Sequence, residues 1–343
     1  MTAAARQRKY EPRKPPAQRV ATSAMIASLA AEGYDTVAAP FGHALVDLAR
    51  RDARILGLSA DLAKYTDLHV FAHAMPDRFY QMGMAEQLMM SAAAGLAREG
   101  FVPVATTYAV FASRRAYDFV AMAIAEERLP VKIVCALPGL TTGYGPSHQA
   151  TEDLAIFRGL PDMVVIDPCD AADVAGMVPA MIAHDGPVYA RLLRGKVPDV
   201  IRRHRPDYRF RLGRAQLLRD GGDVLIVSSG IMTMRALDAA ARLAADRVEV
   251  AVLHVPTIKP LDTATILAEA GRGGRLVVTA ENHTENGGLG EAVARTLMLA
   301  GVHVPFRMIA LPDAFLEAGA LPTLHDMYGL SVDRVAERIK GWL

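Results

Sequence analysis

The sequence predicts an α/β protein of two doubly wound units, on three observations. Short apolar, β-rich runs alternate with helical stretches along the chain. Hydrophobic residues make up 52% of the 343 residues and aromatics only 6%. The core is therefore Ala, Val, Leu, Ile and Met, which suits helices packed on parallel strands. Finally, a polar, arginine-rich break, PDVIRRHRP at 198–206, interrupts the alternation, which then restarts. A chain of this length is comfortable for two domains.

The elements follow in order. Residues 1–22 are set apart: Arg6, Arg8, Lys9, Arg13, Lys14 and Arg19 face Glu11 among prolines. That composition predicts a disordered basic tail, without the apolar core of a secretory signal. The first unit is expected over 23–200. Its strands are Ile55–Leu58, Val102–Ala105, Val131–Ala136 and Met163–Ile166; its helices are Leu88–Ala97, Ala116–Ala125 and Ala171–Ala183. A linker is expected at 201–212. The second unit, 213–343, has strands at Val224–Ser228, Val248–Leu253 and Leu276–Thr279, with helices at Met232–Ala244 and Gly290–Leu299. No short-period repeat is visible.

Composition excludes several classes. A formal net charge of +1 gives no field to attract nucleic acid or an anionic membrane. No apolar run approaches the length of a membrane span. Cys135 and Cys169 form neither a disulfide framework nor a metal pattern, which fits a reducing, cytoplasmic setting.

Two stretches carry the chemistry. In FYQMGMAEQ (79–87), Glu86 stands at the start of a helix that runs QLMMSAAAGLA, uncharged until Arg98. A helix apolar all round is buried all round, so its carboxylate is desolvated unless a cation or donor meets it. The plainer alternative is a first-turn Glu facing water and favouring the helix dipole. In GYGPSHQATEDLAIFR (143–158), two glycines and a proline let the backbone turn tightly and present His148, either as a hydrogen-bonding or proton-transfer group or as a surface residue.

Other candidates are weaker singly. Tyr108 and Phe111 follow a strand and could pack beneath it or wall a heteroaromatic ring. Arg114 and Arg115 could hold an anion, but a solvated face suits at least one of them. Arg194, near Arg191 and Lys196, could fork a phosphate or form a basic edge. GGLG at 287–290 resembles a phosphate-binding helix start, yet without full GxGxxG spacing it reads better as helix–strand packing. Glu281, His283 and Glu285 read as structural or interfacial rather than as metal ligands.

Taken together, several motifs in order resemble the C-terminal half of transketolase-type thiamine-diphosphate enzymes, and most of all the separately encoded second subunit of split bacterial transketolases. The resemblance covers roughly 35–343. It rests on SADL (59–62), PDRFYQMGMAEQ (76–87), LPVKIV (129–134), GPSHQATEDLAIFRGLPDM (145–163), TIKPLD (257–262), ENHTENGGLG (281–290) and LPDAFLEAG (311–319). It implies a pyrimidine-binding domain followed by a transketolase C-terminal domain. It also implies thiamine diphosphate with Mg²⁺ as cofactors and transfer of a two-carbon ketol unit between sugar phosphates. By the same resemblance Glu86 hydrogen-bonds the cofactor's aminopyrimidine, Phe111 and Tyr108 form its aromatic wall, and Asp61 is an acid near the cofactor site. His148 contacts substrate, and Arg194 binds the sugar phosphate.

The GDG motif and downstream asparagines that hold Mg²⁺ and diphosphate in complete transketolases are missing. Asp220-Gly221-Gly222-Asp223 has the wrong order. The resemblance therefore implies a partner, an N-terminal transketolase subunit, in an α2β2 assembly. The chain also departs from the common pattern. ALPGLTTGYG (136–145) lacks a substrate-facing histidine near Ala136 or Leu137 and an aspartate near Tyr144. The position near Ala38 is apolar, and Tyr65 stands where a small hydroxyl residue is usual. Lost hydroxyl-reading groups imply a different donor, such as the branched apulose 4-phosphate. The competing readings are the β subunit of a 2-oxoacid dehydrogenase, a deoxyxylulose-phosphate synthase and a non-catalytic interaction subunit.

Overall fold

The computed structural model describes residues 33–343, so the expected basic tail at 1–22 and the first residues of the expected first unit, 23–32, lie outside the described residues. Fourteen strands are named β1 Thr36–Ala38, β2 Ile55–Ser59, β3 Phe79–Gln81, β4 Val102–Tyr108, β5 Lys132–Ala136, β6 Val164–Ile166, β7 Val188–Leu192, β8 Lys196–Pro198, β9 Gln216–Arg219, β10 Val224–Ser228, β11 Val250–His254, β12 Thr257–Lys259, β13 Leu276–Thr284 and β14 Phe306–Leu311. They form a seven-stranded sheet in the order β12-β6-β7-β5-β4-β2-β3, a five-stranded sheet β14-β13-β10-β11-β9, and the pair β1-β8.

Both large sheets are parallel except at one edge, where β12 runs antiparallel to β6 and β9 antiparallel to β11. The central strands are buried along their whole length and rich in Val, Ile and Leu, as strands covered by helices on both faces must be. One continuous apolar cluster runs through both sheets. Each strand expected from the sequence is present, Val224–Ser228 with the expected ends and the others with shifted ends.

Three differences from the expected plan matter for the site. First, β12 comes from beyond residue 213 yet pairs with β6, so the later part of the chain completes the sheet of the earlier part. Second, the expected linker is packed: it contains a short helix, Ile201–His204, whose Ile201 is buried, and the buried Tyr208 hydroxyl donates to Asp173. Third, β13 runs five residues past the expected Thr279. The polar run Glu281-Asn282-His283 stays in the strand because each side chain finds a partner. Glu281 accepts from Leu289 N (2.6 Å) and Gly290 N (2.7 Å), Asn282 Oδ1 accepts from Leu140 N (2.9 Å), and His283 Nε2 accepts from Ala155 N (3.3 Å).

The GGLG turn is a packing device. A Cβ on Gly288 would lie 2.0 Å from Glu281 Oε2, and one on Gly290 would lie 2.3 Å from Met308 Cε. Glu281 thereby caps the helix Leu289–Leu299. Burial pushes its carboxyl up to about 7 against those two N–H bonds. The Asp220–Asp223 turn is bound up with Arg272, whose Nη1 lies 2.8 Å from Asp220 Oδ1.

A second seam joins the sheets through buried charge. Arg191 donates to Asp153 (2.9 and 2.5 Å) and to Asp167 (3.4 Å), and Ser229 Oγ donates to Asp167 (2.7 Å). Burial alone would raise both acids, but Arg191 overcomes it at Asp153 and holds that carboxyl low; at Asp167 burial prevails. No helix among the described residues is long and apolar enough to cross a membrane.

Candidate active site

Glu86 occupies the first position of the helix Glu86–Arg98, and Ala85 before it offers no side-chain cap. It is 4% exposed. The helix buries Glu86, Met89, Met90, Ala93, Ala94 and Ala97 on one face, but Gln87, Leu88 and Gly95 are exposed, so it is one-sided and not buried all round as its uncharged sequence suggested. The cation that meets the carboxylate is Arg115, with Nη1 3.3 Å from Glu86 Oε1.

Arg115 is 54% exposed and also lies over Phe111, its guanidinium carbon 3.9 Å from the ring centroid. Glu86, Arg115 and Phe111 therefore form one stack at the C-terminal end of β4. Arg114 turns the other way. Its Nη1 donates to Pro146 O (2.7 Å), and its Nη2 to Gln149 O (3.2 Å) and Glu152 Oε2 (2.9 Å). It clamps the glycine-rich turn, so neither arginine is merely a solvated face, contrary to expectation. Their spacing on a short helix, Ala109–Arg114 with Arg115 as its cap, sends adjacent side chains to opposite partners.

The clamped turn delivers His148 to the aromatic residues. Its ring lies edge-on to Phe111 (5.5 Å between centroids), Tyr108 (6.3 Å) and Tyr144 (5.5 Å), and Tyr108 lies 5.7 Å from Phe111. His148 Nδ1 is 2.9 Å from Ser147 Oγ. The turn is held from the second sheet's side as well. Gln149 Nε2 donates to Thr142 O and Glu317 O (3.1 Å each), Gly319 N donates to Gly143 O (3.0 Å), and His325 Nε2 donates to Leu140 O (2.6 Å).

Arg194 stands on the same side. Its guanidinium carbon is 5.6 Å from the centroid of Tyr65, and its buried Nε has no hydrogen-bond partner among the described residues. Beneath it lies Asp67, 2% exposed, accepting from Gly195 N at 2.8 Å. Burial raises the Asp67 carboxyl, offset in part by the Gly195 bond and by Arg194, His69 and His43. Burial likewise raises the Tyr108 hydroxyl, with Arg194 pulling it down and Tyr65 and Tyr144 pushing it up. Asp61 sits apart. It is exposed, in left-handed backbone at φ 59, and its N–H donates to Gln81 Oε1 at 2.8 Å.

The structure thus gathers Glu86, Phe111, Tyr108, His148 and Arg194 around the C-terminal ends of β4, β5 and β7, where ligands bind in open α/β sheets. Sequence reasoning missed Asp67, His69 and the Arg115 contact. Asp67 carried no local signal. The pairing of Arg115 with Glu86 is across 29 positions; the acid on an apolar helix called only for a cation or a hydrogen-bond donor, without saying which.

Against known families, residues 35–199 match the model described as "Transketolase, pyrimidine binding domain" and 213–335 the one described as "Transketolase, C-terminal domain". The chain belongs to the transketolase family. It is 68% identical over 95% of its length to a transketolase family protein of Sinorhizobium fredii, of which the match covers 94%. It is 40% identical to the 6-deoxy-6-sulfo-D-fructose transketolase subunit SqwH of a Clostridium species, covering 85% of this chain and 89% of that one. Among solved structures, a split gene transketolase described as an inactive beta4 tetramer superposes with a TM-score of 0.81. It is 41% identical and covers 89% of this chain and 97% of its own. The chain is thus a transketolase-type subunit, in a family whose role is group transfer.

Proposed function

We propose that this chain is the pyrimidine-side subunit of a split, thiamine-diphosphate-dependent transketolase. It would move a two-carbon ketol unit from a ketose phosphate to an aldose phosphate. The observation that carries the reading is the buried Glu86 carboxylate, set at a helix start beside the Phe111–Tyr108 wall and the His148 turn. These residues fit the pyrimidine half of the cofactor: a carboxylate for a ring nitrogen and an aromatic face for the ring. They do not fit its other half. Among the described residues no group of three His, Cys, Asp or Glu could hold a metal ion. We assign Mg²⁺ and the diphosphate to an N-terminal partner subunit, in an α2β2 complex.

Bound thiamine diphosphate supplies the electron sink that lets a C–C bond beside a carbonyl break. The chain's own residues do the rest. Glu86 holds a proton at the pyrimidine N1′. Phe111 and Tyr108 fix the ring plane and exclude water. His148 hydrogen-bonds the substrate, and Arg194 pairs with its phosphate. Asp61, tied to Gln81 and apart from the Glu86 cluster, would approach the cofactor only from outside that cluster.

We propose an atypical donor such as apulose 4-phosphate. Tyr65 and Tyr144, each 44% exposed, stand where hydroxyl- and phosphate-reading groups are usual. The relative whose name gives 6-deoxy-6-sulfo-D-fructose as its sugar supports unusual ketoses for split subunits of this kind. The pyrimidine domain would span 23–200 and the C-terminal domain 213–343, joined by 201–212. Two free, buried cysteines support a cytoplasmic setting.

Calorimetry tests the split. Thiamine diphosphate with Mg²⁺ should bind the reconstituted pair at least tenfold more tightly than this chain alone. Equal, tight binding by the single chain would end the proposal. A panel of ketose phosphates assayed with the pair then identifies the donor.

A further inference from the structure

The arginine-rich segment that sequence reasoning treated as a linker does more than connect. Arg205, Arg209, Arg211 and Arg214 line a polar cleft of about 380 Å³, together with Gln216 and Thr265, and with Asp207 and Asp262 as its only acids. Most of the other polar groups are engaged. Arg205 Nε lies 3.4 Å from Asp207 Oδ1, and its Nη1 donates to Leu217 O at 3.1 Å. Arg209 Nη1 donates to Tyr208 O (2.8 Å). Asp262 accepts from Ala215 N (2.9 Å) and Thr265 Oγ1 (2.8 Å), and is held low by these bonds and Arg214 against the rise that burial causes. The guanidinium groups of Arg211 and Arg214 have no hydrogen-bond or ion-pair partner among the described residues, and both side chains are exposed.

Guanidinium groups lining a concave, polar surface, free of hydrogen bonds although Arg214 acts at a distance on Asp262, are an arrangement that can grip phosphate oxygens two at a time. The volume lies within the range of small-molecule sites. The chain's own tail makes a poor occupant, because Arg6, Arg8, Lys9, Arg13, Lys14 and Arg19 would meet like charge. No aromatic ring lines the cleft, so nothing there would stack on a base. We propose that this cleft is a second anion site, separate from the cluster around Glu86, that binds a polyphosphate group, free or carried by a nucleotide. Recognition is through the phosphates alone.

The test uses the full chain without cofactor, titrated calorimetrically at matched ionic strength with inorganic triphosphate, ATP and adenosine. Triphosphate and ATP should bind with affinities within about threefold of each other, and adenosine should not bind. The double variants Arg211→Gln/Arg214→Gln and Arg211→Glu/Arg214→Glu should weaken triphosphate binding by about tenfold or more. Arg194→Gln, which removes the guanidinium assigned to the sugar phosphate, should leave triphosphate binding unchanged, which separates this site from the cluster around Glu86. Absence of triphosphate binding, unchanged binding in the folded arginine variants (checked by circular dichroism), or ATP binding far more tightly than triphosphate would each overturn the proposal.

Discussion

A single buried acid is tolerated at the start of an apolar helix only if something shares its charge. Here Arg115 does so from the exposed side, 3.3 Å away. The Glu86–Arg115 pair was legible only in part: the sequence called for a cation or donor if the carboxylate were buried, but which residue would supply it depended on helix phase. Arg114 illustrates the opposite outcome, holding Pro146, Gln149 and Glu152 and hence the His148 turn. Arg114→Ala should therefore raise KM for the donor sugar several-fold in the reconstituted pair and leave thiamine diphosphate affinity within twofold. Steady-state kinetics and calorimetry check the two halves separately.

At the scale of elements, the expected strands and helices emerge because buried parallel strands announce themselves as runs of Val, Ile and Leu. What composition could not show is how polar segments are absorbed. β13 continues through Glu281-Asn282-His283 because its neighbours supply partners from distant sequence. Gly288→Ala places a Cβ 2.0 Å from Glu281 Oε2, and should destabilise the protein by about 2 kcal/mol, measured by urea denaturation. His325 provides a pH test. Burial and the neighbouring Arg235 lower its pKa to about 3, so it stays neutral while donating to Leu140 O. Below the ordinary histidine value the unfolded chain takes up this proton and the folded chain does not, so stability falls as pH drops from about 6.5 toward 3. The loss from this residue should be about 2 kcal/mol between pH 7 and pH 5. His325→Gln, which can still donate and accept, should flatten that slope.

For the whole molecule, the two units were legible and their entanglement was not. Neither the pairing of β12 with β6 nor the Arg191–Asp153–Asp167 seam follows from periodicity, because both join residues far apart in sequence. The surface near Glu86 carries exposed apolar groups. Tyr80, Met84 and Leu88 are exposed on one side, and Tyr117 and Met122 on the elements packed against that helix. In the proposed split, these exposed apolar groups are where the N-terminal subunit would dock. Met84→Glu with Leu88→Glu should weaken assembly with the N-terminal subunit at least tenfold by analytical ultracentrifugation, without unfolding this chain. The proposed chemistry depends on Glu86 carrying a proton for a ring held between two subunits. Its most direct test is ketol transfer by the reconstituted pair carrying Glu86→Gln. Turnover should fall by about a hundredfold or more while the complex still assembles, and turnover at the wild-type rate would contradict it.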